Sequence, residues 1–166
     1  DLKINPYGRR HIISFWNWAN IDKKALVECA YETIWNVRNT PEGEEYLDMI
    51  LVQRSGDMLT ASGPGCINEV QYAALLLMVA RHVGYKPGVF SHLVVNEQIY
   101  DRHMDASLQM LTRYTEKTII NNKNAELLPQ LILNTDKTNF YEFTIDDFSM
   151  KNYFPVKPQL KLELGI

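Results

Sequence analysis

An α+β fold, a small sheet packed against helices within one domain, is what three observations in this sequence predict. Segments rich in β-branched and aromatic residues recur along the chain and suit a pleated, half-buried surface. A long helical segment separates them, and they do not follow the strict alternation of strand and helix that marks a parallel α/β fold. No repeat, low-complexity tract or linker divides the 166 residues, so one domain spans 1–166. With 46% hydrophobic residues and only 8 Gly and 7 Pro, such a chain buries roughly two-thirds of its unfolded surface.

The first candidate strand is RRHIISFWNW, residues 9–18, dense in aromatic and β-branched side chains. AYETIWNVR (30–38) and EYLDMILVQRS (45–55) read the same way, and the intervening NTPEGEE supplies the Pro and Gly of a hairpin loop. A small antiparallel sheet follows from this. From Asn68 to Val83 the apolar residues Val70, Ala73, Ala74, Leu77, Met78 and Ala80 recur at spacings of three and four, which predicts a helix with a broad apolar face. Gly84 and the following KPG end it. GVFSHLVVNEQIYD (88–101) is strand-like again, and Met104, Leu108 and Leu111 mark a second helix. Near the end QLILN predicts a strand, and the alternation of Leu160, Leu162 and Leu164 predicts another with one face buried.

Charge and cysteine usage exclude several classes. A net charge of −3 with scattered Lys and Arg offers no basic stripe for a nucleic-acid polymer, although small anions remain possible. Cys29 and Cys66 make no disulfide framework, and neither a signal peptide nor an apolar run of about 18 residues is present, so no membrane partner is expected and a reducing cytoplasm fits. The four histidines, His11, His82, His92 and His103, lack zinc-ligand spacing, and no CxxC or GxSxG occurs, so no metal is expected. His92 and His103 offer acid–base groups, but a lone His in a mixed sequence is more often a satisfied structural residue. TASGPGCIN (60–68) has two glycines but lacks the lysine and strand context of a phosphate-binding loop.

Chemistry-bearing residues cluster in a few places. Arg9 and Arg10 open the first candidate strand, where adjacent side chains point to opposite faces. Gln53, Arg54, Ser55 and Asp57 form a polar patch at a strand exit, where ligand-binding groups commonly collect; an internal Arg54–Asp57 pair would explain it equally. Cys29, in VECAYETIW, is either a nucleophile or a small buried hydrophobe.

Order along the chain decides between these readings. RRHIISFWN, ALVECAYET, LVQRSGD, an Asn opening a Met-rich helix that ends in HVGYKPGVF, and then IYDRH together resemble the thymidylate synthase family. The most diagnostic piece is QRSGD at 53–57, about two dozen residues after a cysteine. The resemblance covers essentially the whole chain and roughly the C-terminal two-thirds of a typical member, so the family's N-terminal third is expected to be missing here. It implies the family's fold, a mixed sheet packed against helices, with one sheet face used for dimerisation.

The resemblance further implies that Cys29 adds to C6 of the uracil ring of dUMP, making C5 nucleophilic toward the one-carbon unit of methylenetetrahydrofolate, whose hydride then completes the methyl group of dTMP. Arg54 would lie beside both the phosphate and the sulfur, promoting the thiolate that the reaction needs. Arg9 and Arg10 match an arginine pair that reaches the phosphate in the partner subunit's site of a homodimer, where guanidinium groups bind bidentately. Gln53 lies in the matched substrate motif, and Ser55 would add a phosphate bond. Asn68 would read the uracil edge, where an amide can both donate and accept. Tyr100 would hold the deoxyribose hydroxyl, and Asp57 would face the pterin and the ring. The chain departs from the family pattern at Val27 and Glu28, before the cysteine; a carboxylate close to the thiol would oppose its ionisation. It departs also at Asn96 and Glu97, and at Gln98, which replaces a sugar-binding histidine and keeps the ability to bond a hydroxyl. SGPG reads as an insertion of about three residues. A nucleotide-binding or dimerising relative without synthase chemistry, and a dUMP hydroxymethylase, stand as alternatives.

Overall fold

The computed structural model describes residues 1–63, 66–120 and 128–163. A four-stranded sheet forms its centre, in the order β1-β2-β3-β5. The strands are β1 (Ile12–Ser14), β2 (Ala30–Asn39), β3 (Glu45–Gln53) and β5 (Lys86–Val94). β1, β2 and β3 run antiparallel, while β5 returns through helix α1 (Ile67–Val83) to lie parallel to β3, so the sheet is mixed rather than wholly antiparallel. A parallel neighbour requires a crossover, and α1 is that crossover.

Period-two patterning assigns the two sheet faces. Trp35, Val37, Leu47, Met49 and Leu51 point inward and are at most 5% exposed, packed with Tyr72, Leu76 and Ala80 of α1. Burying each large aliphatic side chain here contributes about 1.5–3 kcal/mol. Trp35 satisfies its indole N–H with a 3.0 Å bond to Thr33 Oγ1. On the opposite face Ile12, Ile34, Ile50 and Ser91 lie in one row across the strands, and Ile12, Ile50 and Leu93 remain exposed.

Several sequence expectations need correction. Residues 9–18 do not form one strand: only Ile12–Ser14 pairs, and the chain then turns into a 3₁₀ helix at Trp18–Lys23, begun by Asn17, whose side chain accepts from Ala19 N. A side chain that caps a turn diverts the backbone from the ladder. The buried face of α1 centres on Tyr72, Leu76 and Ala80, whereas Val70 is exposed. Residues 88–101 split into β5 and the short β6 (Glu97–Gln98), because the chain leaves β3 at Val95 N to Gln53 O (2.9 Å) and passes to β4 (Gly56–Asp57). Gly84 ends α1 in the left-handed conformation at φ 92°, as its position predicts.

Helix α2 spans Met104–Ile120, with Leu108 and Leu111 exposed. β7 (Gln130–Leu133) pairs with β8 (Phe148–Lys151), not with the leucine-rich end. Leu160 and Leu162 belong to no strand; they border a cavity beside Met110 and Tyr114, where burial rather than pairing explains their alternation. Leu164 lies outside the described residues, as do Pro64 and Gly65 of the expected SGPG insertion.

Candidate functional site

Cys29 sits just before β2, at an irregularity in the ladder where Ala30 opposes Gln53 but Glu32 opposes Val52. The extra residue, Tyr31, bends the strand, and such bulges re-aim neighbouring side chains. Across from it the Arg54 N–H donates to the Cys29 carbonyl at 2.8 Å. The Arg54 side chain then reaches along the same segment: Nε donates to Glu28 O and Nη2 to Val27 O, both at 2.9 Å, and Nη2 approaches Cys29 Sγ at 3.7 Å. The guanidinium therefore clamps the backbone that presents the thiol and lays positive charge against the sulfur. Glu28, whose carboxylate adjoins the thiol in sequence, is engaged by Lys24 in an ion pair. Arg54 and Asp57 do not pair, so internal neutralisation is not the reason for the polar patch.

A cavity of about 400 Å³ opens beside Cys29, bordered by Ser55, Asp57, Asn68, Gln98 and Tyr100. Residues far apart in sequence meet here because β4 and β6 pair in parallel, setting Asp57 opposite Gln98. Asp57 accepts from Leu59 N (3.1 Å) and from Thr60 Oγ1 (2.5 Å), which fixes its carboxylate at the start of the π-helical turn Met58–Ser62. Gln98 Nε2 lies 3.4 Å from Tyr100 OH, a pair of groups suited to a hydroxyl.

Gln53 proves to be an organiser. Only 1% exposed, it donates from Nε2 to Ser55 O at 2.9 Å, so its Oε1 faces the other way and accepts from Asn68 Nδ2 and His92 Nε2, each at 3.0 Å. Asn68 is thereby oriented, and its Oδ1 and second Nδ2 hydrogen make no bond among the described residues. Nothing local in the sequence announces this link; the signal is only the placement of an amide at a strand end. The four-residue offset between Lys24 and Glu28 was the available hint for that pair.

Arg9 and Arg10 are exposed before β1 and do not join this cavity; Arg10 borders a different one with His11, Ile12 and Val79. Cys66 also lies apart. Its thiol donates toward the carbonyls of Met58 (3.4 Å) and Leu59 (3.5 Å), and burial pushes its pKa up, both of which suit an inert thiol. His92 stacks on Phe90, and its Nε2 donates to Gln53 Oε1. Among the described residues no cluster of three or more His, Cys, Asp or Glu could hold a metal ion, and no helix is long and apolar enough to cross a membrane.

Chemically the cavity offers one strong nucleophile, the Cys29 thiol, facing an oriented amide, a fixed carboxylate and a hydroxyl–amide pair. That combination defines a thiol-centred pocket for a small polar ligand. The chain belongs to the thymidylate synthase family, whose model matches residues 1–166. It is 41% identical over 168 residues to a thymidylate synthase of Streptococcus suis and 40% identical over 168 residues to one of Streptococcus pneumoniae, covering 100% of this chain and 56% of each relative. The chain thus spans little more than half the length of the curated relatives it matches. Its fold is similar to the solved thermostable thymidylate synthase A of Bacillus subtilis, with a TM-score of 0.74 and 33% identity over 96% of this chain and 51% of that one. The mixed sheet packed against helices is the family architecture.

Proposed function

We propose that this chain carries the nucleophilic and nucleotide-binding part of a thymidylate synthase, a methyltransferase that converts dUMP to dTMP. The observation that carries the reading is the convergence of Cys29 and the oriented Asn68 on one cavity, with the Arg54 guanidinium against the Cys29 sulfur. Methylenetetrahydrofolate, the cosubstrate, would supply the one-carbon unit and the hydride.

In this reading Cys29 Sγ forms a bond to uracil C6, and the electron pair displaced from the C5–C6 double bond makes C5 nucleophilic. The Arg54 guanidinium lies 3.7 Å from the sulfur that makes this bond. Its Nη1, which makes no hydrogen bond among the described residues, is available for the substrate phosphate, together with Ser55. Asn68 would accept from uracil N3–H and donate to O4, a pattern that cytosine cannot match. Tyr100 and Gln98 would hold the deoxyribose hydroxyl, and Asp57 would face the pterin and assist proton movement. Gln53 acts through Asn68.

A homodimer completes the proposal. The exposed apolar row on the outer sheet face supports it, since Ile12, Ile50 and Leu93 would otherwise face water. Arg9 and Arg10, exposed beside β1 and outside this cavity, suit a reach into the partner's site. Two free cysteines, Cys29 and Cys66, fit a reducing cytoplasm.

The test is trapping with 5-fluoro-dUMP and methylenetetrahydrofolate, read by intact mass on the unmodified protein and on Cys29→Ala. An adduct that disappears in the variant is expected. Absence of any adduct, with dUMP binding still measurable by calorimetry, would overturn the synthase reading in favour of a nucleotide-binding relative.

A further inference from the structure

Ser62 and Glu97 are joined by a hydrogen bond that none of the roles above employs: Ser62 Oγ donates to Glu97 Oε1 at 2.6 Å, across 35 residues of sequence. That separation is the one expected of a hydroxyl on a carboxylate. Ser62 is 4% exposed and ends the turn Met58–Ser62, while Glu97 opens β6. In the parallel pair Glu97 lies opposite Gly56, and Gln98 opposite Asp57. Side chains alternate along a strand, so Asp57 and Gln98 share the face that borders the cavity, and Glu97 points to the reverse face, where Ser62 meets it.

The turn therefore wraps around β4 and is held at both ends. On the cavity face the Asp57 carboxylate accepts from Leu59 N and Thr60 Oγ1; on the reverse face Glu97 accepts from Ser62. Room for the second hold exists because residue 56 is glycine: a Cβ there would collide with Ser62 Oγ and lie 2.7 Å from Glu97 Oε2. Both partners are also departures from the family pattern, since Ser62 opens the SGPG stretch and Glu97 follows Asn96. Thr60 and Ala61, which border the cavity, lie between the two holds.

We infer that Glu97 is a positioning residue: acting through Ser62 from the reverse face of the β4–β6 pair, it fixes the turn Met58–Ser62 and so places the Asp57–Thr60 edge of the cavity. The inference rests on the reading proposed above, in which Asp57 faces the pterin. Ser55, Asn68 and Tyr100, proposed there for dUMP, lie outside this turn. Loss of the hold should therefore weaken use of the cosubstrate and spare the nucleotide.

Cys66 reads the turn without catalysis, because its thiol donates toward the carbonyls of Met58 and Leu59 within it. In a Cys29→Ala background, Glu97→Ala should speed maleimide labelling of Cys66 about fivefold, the value of one hydrogen bond. Ser62→Ala should do the same, and the double variant should exceed neither. Glu97→Gln, whose amide oxygen still accepts from Ser62, should stay within about twofold of the parent. With Cys29 present, Glu97→Ala should raise the methylenetetrahydrofolate concentration that half-saturates 5-fluoro-dUMP trapping about tenfold and leave the calorimetric Kd for dUMP within about twofold; Glu97→Gln should restore the cosubstrate dependence. Thermal melts identify loss of fold, and Ser62→Ala carries the test if Glu97→Ala does not fold. Unchanged labelling in both alanine variants, or additive effects in the double variant, would overturn the hold. Faster labelling with unchanged cosubstrate dependence, or dUMP binding weakened equally, would overturn the positioning role. A parent chain that forms no adduct would overturn the synthase reading instead, and the labelling series would still decide whether Glu97 fixes the turn.

Discussion

Asn68 Nδ2 donates to Gln53 Oε1 at 3.0 Å, while Gln53 is itself fixed by its bond to the Ser55 carbonyl. The direction of each amide is therefore set by the protein and not by the ligand. Asn68→Asp would put a carboxylate oxygen against Gln53 Oε1 and remove the donor meant for uracil. We expect dUMP affinity to fall by about 10- to 100-fold and the preference to move toward dCMP, whose amino group donates. Calorimetry with both nucleotides checks this; unchanged dUMP binding would remove Asn68 from the recognition set.

Arg54 joins three consecutive residues, Val27, Glu28 and Cys29, through one side chain. Lysine cannot reproduce the fork. Arg54→Lys should lower stability by about 2 kcal/mol in denaturant unfolding, through the lost carbonyl bonds. In a Cys66→Ala background it should also slow alkylation of Cys29 at neutral pH. Equal alkylation rates with and without the guanidinium would show that Arg54 only holds the loop.

The outer sheet face tests the dimer. Leu93 is 55% exposed and lies next to the row formed by Ile34, Ile50 and Ser91. A buried, unpaired carboxylate there would be strongly unfavourable. Leu93→Asp should shift sedimentation from dimer to monomer with the fold intact by circular dichroism. A dimer that persists would place the interface elsewhere.

Acid sensitivity should arise at Asp147. The Lys137 ammonium, 2.8 and 3.0 Å from its two oxygens, and the backbone N–H of Thr144 hold its pKa down at about 2, below the ordinary 3.8. A carboxyl depressed in the folded state contributes stability that is fully present above its unfolded value and is lost as pH falls through the folded one. Thermal stability should therefore drop between about pH 4 and about pH 2. Asp147→Asn should be less stable at neutral pH and flatter across that window. A profile identical to the parent would assign the acid response to other carboxylates.

Strands β2 and β3 were legible because one face is apolar and the other is not: Trp35 and Val37, then Leu47, Met49 and Leu51, alternate cleanly. The face of α1 was not, since residues 73–80 are nearly all apolar and angular position cannot be read from a uniform stretch; Tyr72, with a polar tip, turned out to be core. Arg9–Trp18 misled because aromatic density mimics a strand, while Asn17 caps a turn. In the site, Cys29, Gln53, Ser55, Asp57, Asn68, Gln98 and Tyr100 border one cavity, whereas Arg9 and Arg10 stand outside it. Gln53 holding Asn68 was illegible, because it depends on a side chain reaching a particular neighbour in the folded chain.

The parallel pairing of Gly56–Asp57 with Glu97–Gln98 joins segments roughly 40 residues apart in sequence, and β3 and β5 are separated in sequence by the whole of α1. Contacts of such long range form late and carry a high loop-closure cost. The cavity is consequently built from long-range pairings rather than from one local segment. A nucleotide bound there would act as a folding ligand for the entire chain, adding about 2.7 kcal/mol at a hundredfold excess over its Kd. Variants that look defective in binding would then divide into those that lost a contact and those that lost the fold, and saturating nucleotide would rescue the second group alone.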